Sequence, residues 1–261
     1  MDKRPIGIFD SGIGGLTVFS EMRKQLKNED LVYLGDTANF PYGPKSKEEI
    51  IEFTKRNIEF LIKQDCKFIV IACGTATSHA LEIVQNKYSV PIIGIIEPTV
   101  DKILEEDNKV IGIMATVGTI KSDSWGRAIK NKNPKINVIN GACPLLAEMA
   151  EEDFNIEEVR QALKEYLEPF KGKEVDRLIL GCTHYPIFKE LIQEELREEV
   201  AVISTSEIVS DYIKEILKIK ESNNDEDNTG DYKIYLSSSE SNFINIAKRI
   251  FEIQEEKVYF I

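Results

Sequence analysis

Short apolar runs alternate with stretches of helical spacing along this chain, and the alternation starts afresh part of the way through. The run Ile6 to Asp10 is followed by a helical stretch, Leu16 to Lys27, and then by a second run, Leu31 to Leu34. That is the rhythm of βαβ units. The next helix opens at Ser46 with Glu49 three residues on, a capping box, and carries Ile50, Ile51, Thr54, Ile58, Leu61 and Ile62 on a helical spacing. It leads into the strand Phe68 to Ala72. After the apolar run Pro91 to Ile96 the pattern begins again with Val110 to Ala115, and continues through Asn137 to Ile139, Leu178 to Leu180 and Ala201 to Ile203. Apolar throughout, such strands suit parallel sheets covered by helices on both faces.

The fold class expected is therefore α/β, with two pseudo-symmetric domains, each a mostly parallel sheet flanked by helices, and the active site in the cleft between them. The first unit spans residues 1–98 and the second 99–205. Residues 206–261 predict a helix (Ser206 to Lys218), an acidic stretch (Glu221 to Asp231), a strand (Tyr232 to Leu236), a helix (Glu240 to Phe251) and a last strand (Lys257 to Ile261). That is too little for a domain of its own, so this segment is expected to complete the first unit, with the acidic stretch as a solvated loop.

Composition narrows the class of protein. With 261 residues and 42% hydrophobic content the chain can bury a substantial core. No run approaches the roughly 18 apolar residues of a membrane span, and MDKRPIGIFD enters a strand without a leader-like apolar region. A soluble, cytoplasmic protein is expected. The net charge of -12 repels nucleic-acid backbones and anionic lipid surfaces, so neither is expected as an obligate partner. An anionic small molecule stays open, because local donors decide what a pocket holds. Four cysteines without a CxxC pair are too sparse for a disulfide scaffold and are read as free thiols.

In open parallel sheets ligands bind beyond the carboxyl ends of the strands, and chemically capable residues fall there. The first strand ends in Asp10, followed by Ser11 and a glycine-rich turn before a helix. The glycine spacing is not GxGxxG and a P-loop lysine is absent, which disfavours a nucleotide. Cys73 and Cys182 each end an apolar run at corresponding places in the two halves. Taken singly, each fits an inert small hydrophobe. Cys182 is followed by Thr183, His184, Tyr185 and Pro186, and an imidazole two residues from a strand-end thiol favours thiolate. Zinc is a competing reading, weakened by the lack of a second close pair of ligands. Two thiols facing one pocket from like halves also suit proton removal from one face of a carbon and return to the other. An ordinary thiol pKa of about 8.5 lets a modest electrostatic shift make either sulfur a base near neutral pH.

The segments IFDSGIGGLTV (8–18), PYG (41–43), ACGTAT (72–77), ATVGTIKS (115–122), CPLLAEMAEE (143–152), GCTHYP (181–186) and YLSSSESNFINIA (235–247) resemble, in order, those of cofactor-independent glutamate racemases of the aspartate/glutamate racemase superfamily. The resemblance covers nearly the whole chain. It implies Cys73 and Cys182 as the two acid/base thiols, one for each enantiomer, assisted by Asp10 and His184. It aligns the family's assisting glutamate with Glu151, with Glu152 a near rival. The substrate contacts it implies are Ser11, Pro41, Tyr42, Gly43, the position of Gly74, Thr75, Thr116, Thr119 and Thr183, whose hydroxyl and N–H donors suit carboxylates. For Thr116 and Thr119, helix capping is the ordinary alternative. The implied activity interconverts L- and D-glutamate for peptidoglycan synthesis, with no cofactor and no metal, in a family that is often dimeric. Cys66, Cys143 and Trp125 are read as structural, and His79 as a helix-surface residue.

One departure stands at Gly74. The family usually has ACNT, whose asparagine amide contacts the amino acid's head group, and glycine offers no such group. Loss of a hydrogen bond to a charged group costs about 1.5 to 3 kcal/mol unless something replaces it. Two other readings follow: a racemase or isomerase of the same superfamily acting on another small acid such as aspartate, and a catalytically weak amino-acid-binding protein. The retained pair of thiols argues against the second, since binding alone requires none.

Overall fold

The computed structural model describes residues 2–219, 229–239 and 243–261. Its strands are β1 (Ile6–Asp10), β2 (Leu31–Gly35), β3 (Phe68–Ile71), β4 (Ile92–Gly94), β5 (Val110–Ala115), β6 (Asn137–Ala142), β7 (Arg177–Leu180), β8 (Ala201–Ser204), β9 (Tyr232–Leu236) and β10 (Val258–Phe260). The helices are α1 (Leu16–Gln25), α2 (Lys47–Lys63), α3 (Gly74–Val84), α4 (Ile96–Ile103), α5 (Val117–Ser122), α6 (Ser124–Lys132), α7 (Leu146–Glu151), α8 (Ile156–Tyr166), α9 (Lys189–Glu194), α10 (Thr205–Ile219) and α11 (Phe243–Ile250).

They form two α/β domains. One sheet has six strands in the order β10-β9-β2-β1-β3-β4 and the other four in the order β6-β5-β7-β8, and every pairing is parallel. β1, β2 and β3 are buried at every position, as strands covered on both faces must be. In each sheet the strand before a cysteine lies beside a central strand: β3 pairs with β1, and β7 pairs with β5. The carboxyl ends of β1 and β3 therefore bring Asp10 and Cys73 side by side, and those of β5 and β7 do the same for Thr116 and Cys182. β9 joins the first sheet beside β2, with Tyr232 opposite Leu31. One apolar cluster runs from Ile6, Ile8 and Val70 of the first sheet through Ile111, Ile113 and Ile179 of the second, with Trp125 buried in it.

Three details of the pattern have local causes. The apolar run Pro91 to Ile96 is shared between two elements, since β4 stops at Gly94 and α4 begins at Ile96. Ile96, Val100 and Ile103 are all buried, at i, i+4 and i+7, and that helical stripe marks out the second element. β6 is longer than expected and largely solvent-facing, because it is the edge strand of the smaller sheet. In α2, Ile50, Thr54, Ile58 and Leu61 face inward, whereas Ile62 is exposed. The acidic stretch, apart from Thr229 to Asp231, and residues 240–242 of the last expected helix lie outside the described residues. Among the described residues no helix is long and apolar enough to cross a membrane.

The capping box at the start of α2 forms as its spacing implies. Ser46 Oγ accepts the Glu49 N–H at 3.3 Å and Glu49 Oε2 accepts the Ser46 N–H at 2.9 Å. Replacement of Ser46 by Ala is expected to lower stability by about 1 kcal/mol, read as an earlier urea midpoint at unchanged slope. An unchanged midpoint would remove this box from the forces that hold α2.

Candidate active site

The loop after β1 is the surface on which the second domain's chemistry rests. Asp10, wholly buried, accepts the Gly12 N–H at 3.1 Å and the Thr183 hydroxyl at 3.0 Å. Glu151, the last residue of α7, reaches across the interface so that its Oε1 accepts the Ile13 N–H at 2.7 Å. The same oxygen lies 2.6 Å from His184 Nε2. The Gly14 N–H is 3.2 Å from that ring nitrogen, but a nitrogen giving its proton to a carboxylate has no lone pair left for an amide. The shorter contact takes precedence. A Cβ at Gly14 would stand 2.5 Å from His184 Nδ1, so the imidazole packs where only a glycine leaves room.

His184 precedes the 3-10 turn Tyr185–Phe188 and turns its other nitrogen to the thiol, with Nδ1 3.6 Å from Cys182 Sγ. Burial works against a charged imidazole. Hydrogen bonds to Cys182 and Glu151 outweigh it and hold His184 well above its ordinary value. Phe40 lies against the ring with centroids 5.3 Å apart. Cys182 thus sits beside an imidazole that holds its proton firmly and that a carboxylate orients.

Cys73 has different surroundings. Its sulfur caps α3, accepting the Ala76 N–H at 3.4 Å, and lies 3.5 Å from Ser11 Oγ. Burial, and then the nearby Asp10 charge, push this thiol up to about 12, and the Cys182 charge adds to the effect. Cys73 therefore holds its proton more firmly than an ordinary thiol, whose pKa is about 8.5. Burial likewise raises the Asp10 carboxyl, against His184 and the donors Gly12 and Thr183.

A cluster of hydroxyls bridges the domains on the Cys73 side. Thr75 Oγ1, in the first turn of α3, lies 2.9 Å from Thr116 Oγ1 and 3.2 Å from Thr119 Oγ1, and Thr116 lies 3.0 Å from Thr119. Thr116 also caps α5 through the Thr119 N–H at 3.3 Å, so the capping role and a place in the cleft coexist. Gly43 packs against Thr116, which brings the Pro41–Tyr42–Gly43 segment to the same edge. The Tyr42 hydroxyl is turned away and donates to Asp36 at 2.6 Å. Glu152, the rival to Glu151, is not at the site, and its carbonyl accepts from Arg249 at 3.1 Å.

Several participants left little trace in the sequence. Tyr33, on β2, donates to the Gly12 carbonyl at 2.7 Å and stiffens the loop from below. The Thr17 hydroxyl lies 3.1 Å from the Thr183 carbonyl of the other domain. His79 is no surface residue: it is half-buried, with Nε2 3.2 Å from the Gly118 carbonyl. Each depends on a partner more than thirty residues away or across the interface, or on a strand register, which one-dimensional spacing does not encode. Among the described residues no group of three or more His, Cys, Asp or Glu converges as a metal site. A concavity of about 780 Å³ lies elsewhere, beside α1, and its cations are engaged: Arg23 by the Gly230 carbonyl, Lys24 by Glu21 and Lys257 by Asp231.

Two thiols brought together at matched strand ends, one of them backed by an imidazole and a carboxylate, form a site equipped for acid–base proton transfer. Comparison with known proteins gives the same class. The profile of the Asp/Glu/hydantoin racemases matches residues 6–211. A glutamate racemase of Lactococcus lactis subsp. lactis is 42% identical over 99% of this chain and 96% of its own, and one from Geobacter metallireducens is 39% identical over 95% and 93%. The crystal structure of glutamate racemase from Francisella tularensis in complex with D-glutamate superposes with a TM-score of 0.93 at 36% identity, covering 100% of this chain and 98% of that one. The chain belongs to the Asp/Glu/hydantoin racemase family.

The chain has 2 histidines, and they are displaced in opposite directions. Burial pushes His79 down, whereas His184 is raised. NMR titration is expected to find one imidazole midpoint below about 6.5 and one above it. Because the native value of His184 is raised, its contribution to stability is complete below about 6.5 and is lost as pH rises through that native value. Glu151→Gln is expected to lower only the higher midpoint. Two midpoints that both stay near the ordinary value would contradict the dyad geometry.

Proposed function

We propose that this chain interconverts L- and D-glutamate by proton transfer at the α-carbon, with Cys73 and Cys182 as the two acid/base groups. The observation that carries the reading is the placement of both cysteines at equivalent strand ends of two like sheets, close enough for the charge of one to bear on the other. The relatives named glutamate racemases support the choice of substrate.

One sulfur, as thiolate, takes the α-proton from its face of the substrate, and the S–H bond forms as the C–H bond breaks. The other, as thiol, gives its proton to the opposite face, so the carbon is inverted and the two sulfurs exchange protonation states. His184, held by Glu151, offers its N–H to the Cys182 sulfur and stabilises that thiolate. For Cys73, the positive charge of a bound α-ammonium opposes the burial and the Asp10 charge that keep its proton on. The Thr75, Thr116 and Thr119 hydroxyls and Ser11 supply donors for substrate carboxylates. Pro41–Gly43, Gly74 and Thr183 border the same space. Asp10 acts by fixing Thr183 and the Gly12 amide, and so the position of the loop beside Cys73.

Within this reading residues 1–98 and 206–261 form one domain and residues 99–205 the other. The product serves peptidoglycan synthesis, and four buried free thiols fit the reducing cytoplasm. A homodimer belongs to the same proposal and would be read by sedimentation. A second acid as substrate is favoured by one observation, that the space of a side chain at 74 is filled by the Gly181 carbonyl.

α-Proton exchange in deuterated water with each enantiomer of glutamate and aspartate separates these readings. Exchange with glutamate is expected; exchange with aspartate alone would move the substrate, and no exchange with any of the four would refute an amino-acid racemase. Cys73→Ser and Cys182→Ser are each expected to lower racemisation by at least about a thousandfold while leaving thermal stability within a few degrees. Normal turnover in both directions by either variant would contradict the two-thiol assignment.

A further inference from the structure

The contact between Gly74 and Gly181 joins the two domains at the point where the thiols meet. A Cβ on Gly74 would stand 2.1 Å from the Gly181 carbonyl oxygen and 3.3 Å from its carbon. Real Cβ atoms do not tolerate this, and the obstacle is backbone, which cannot swing aside as a side chain does. The oxygen therefore occupies the place a side chain at 74 would take, between the residue after Cys73 and the residue before Cys182.

This carbonyl has no assigned task in the fold. The Gly181 N–H donates to the Met114 carbonyl at 2.8 Å and continues the β5–β7 pairing, but among the described residues no N–H or hydroxyl donates to the Gly181 oxygen. Gly181 is buried, and a buried carbonyl without a donor is uncommon enough to require an account. Helix α3, whose first residue faces it, turns its free N–H groups toward its own start, and Cys73 takes one of them. The nearest unused donor, the buried Trp125 Nε1–H, lies 3.0 Å from where a Cβ on Gly181 would stand and makes no hydrogen bond to the oxygen. A cationic donor on a bound molecule would satisfy it, and the zwitterionic substrate proposed above carries one, the α-ammonium.

We propose that the Gly181 carbonyl is an acceptor for the substrate's α-ammonium group, and that glycine at position 74 is the condition for this, because any side chain there displaces the oxygen. The inference rests on the amino-acid racemase reading. It gives the site a group that holds the nitrogen beside both sulfurs, in a region where the hydroxyl cluster suits carboxylates. It also explains how the chain dispenses with a side-chain amide at 74: a backbone oxygen stands in the same space. A charged hydrogen bond made in a buried site is strong enough to decide affinity.

The test compares ligands that differ in that ammonium alone. Calorimetric affinities of D-glutamate and glutarate are measured on the unmodified enzyme and on Gly74→Ala. The variant is expected to weaken D-glutamate at least tenfold and to leave glutarate within about twofold, with kcat/KM falling in step with the glutamate affinity. Equal losses for the two ligands, or no loss for either, would overturn the acceptor role. A crystal structure of the unmodified enzyme with D-glutamate gives an answer independent of how the variant folds. The ammonium nitrogen is expected within about 3.2 Å of the Gly181 oxygen, and a separation beyond about 4 Å would overturn the proposal. α-Proton exchange by the unmodified enzyme is measured first: its absence with glutamate defeats the glutamate reading, whereas its presence leaves only the acceptor at stake. If exchange is found with aspartate instead, aspartate and succinate make the same comparison.

Discussion

Glu151 Oε1 takes two hydrogen bonds from opposite sides of the cleft, one from the His184 ring of its own domain and one from the Ile13 amide of the other. Breaking a buried ion pair of this kind by removing one partner typically costs about 3 to 5 kcal/mol. The dyad therefore has two effects at once. It fixes the imidazole against Cys182, and it ties the charge state of that imidazole to the seating of one domain on the other. The glycines after Asp10 follow from this, since the imidazole and the carboxylate lie where Cβ atoms at Gly14 and Gly12 would stand. Thr183 on Asp10, Thr17 on the Thr183 carbonyl, and Thr75 on Thr116 and Thr119 extend the same interface around the thiols.

The two halves are alike in topology and unlike in electrostatics. Each places a cysteine after the strand beside its central strand. Cys182 has next to it the buried His184 ring, its pKa raised by hydrogen bonds to this thiol and to Glu151, whereas Cys73 has a serine hydroxyl, one backbone amide and the carboxyl of Asp10 nearby. A base that must remove protons from carbon gains strength from a high pKa, and only the fraction in the thiolate form counts against it. In the proposed mechanism, bound substrate redresses that fraction on the Cys73 side by bringing its own positive charge. Asymmetry of this kind lets one scaffold act on mirror-image substrates whose α-protons point to different walls.

Much of this was legible in the sequence because it is written in short-range patterns. β1 lies where its apolar run does, the capping box at Ser46 forms, and both cysteines follow the runs that become β3 and β7. Resemblance to the racemase family supplied Glu151, which no periodicity in α7 marks out. Long-range geometry stayed hidden. The contact of His79 with Gly118, the support of Gly12 by Tyr33 and the commitment of the Tyr42 hydroxyl to Asp36 all depend on where separate elements land. Gly74 is the clearest case. As a letter in the sequence it reads as a lost amide; in the fold it is the reason two backbones can touch.

The central claim is that two groups, one on each side of the substrate, handle the proton. Initial-rate racemisation of protonated L-glutamate in deuterated water tests it most directly, by mass analysis of both enantiomers after separation. Two opposed carriers predict D-glutamate that is deuterated at the α-carbon from the first turnovers while unreacted L-glutamate keeps its protium. Protium carried through into D-glutamate, or deuterium entering both enantiomers equally, would show a single carrier serving both faces and would contradict the account.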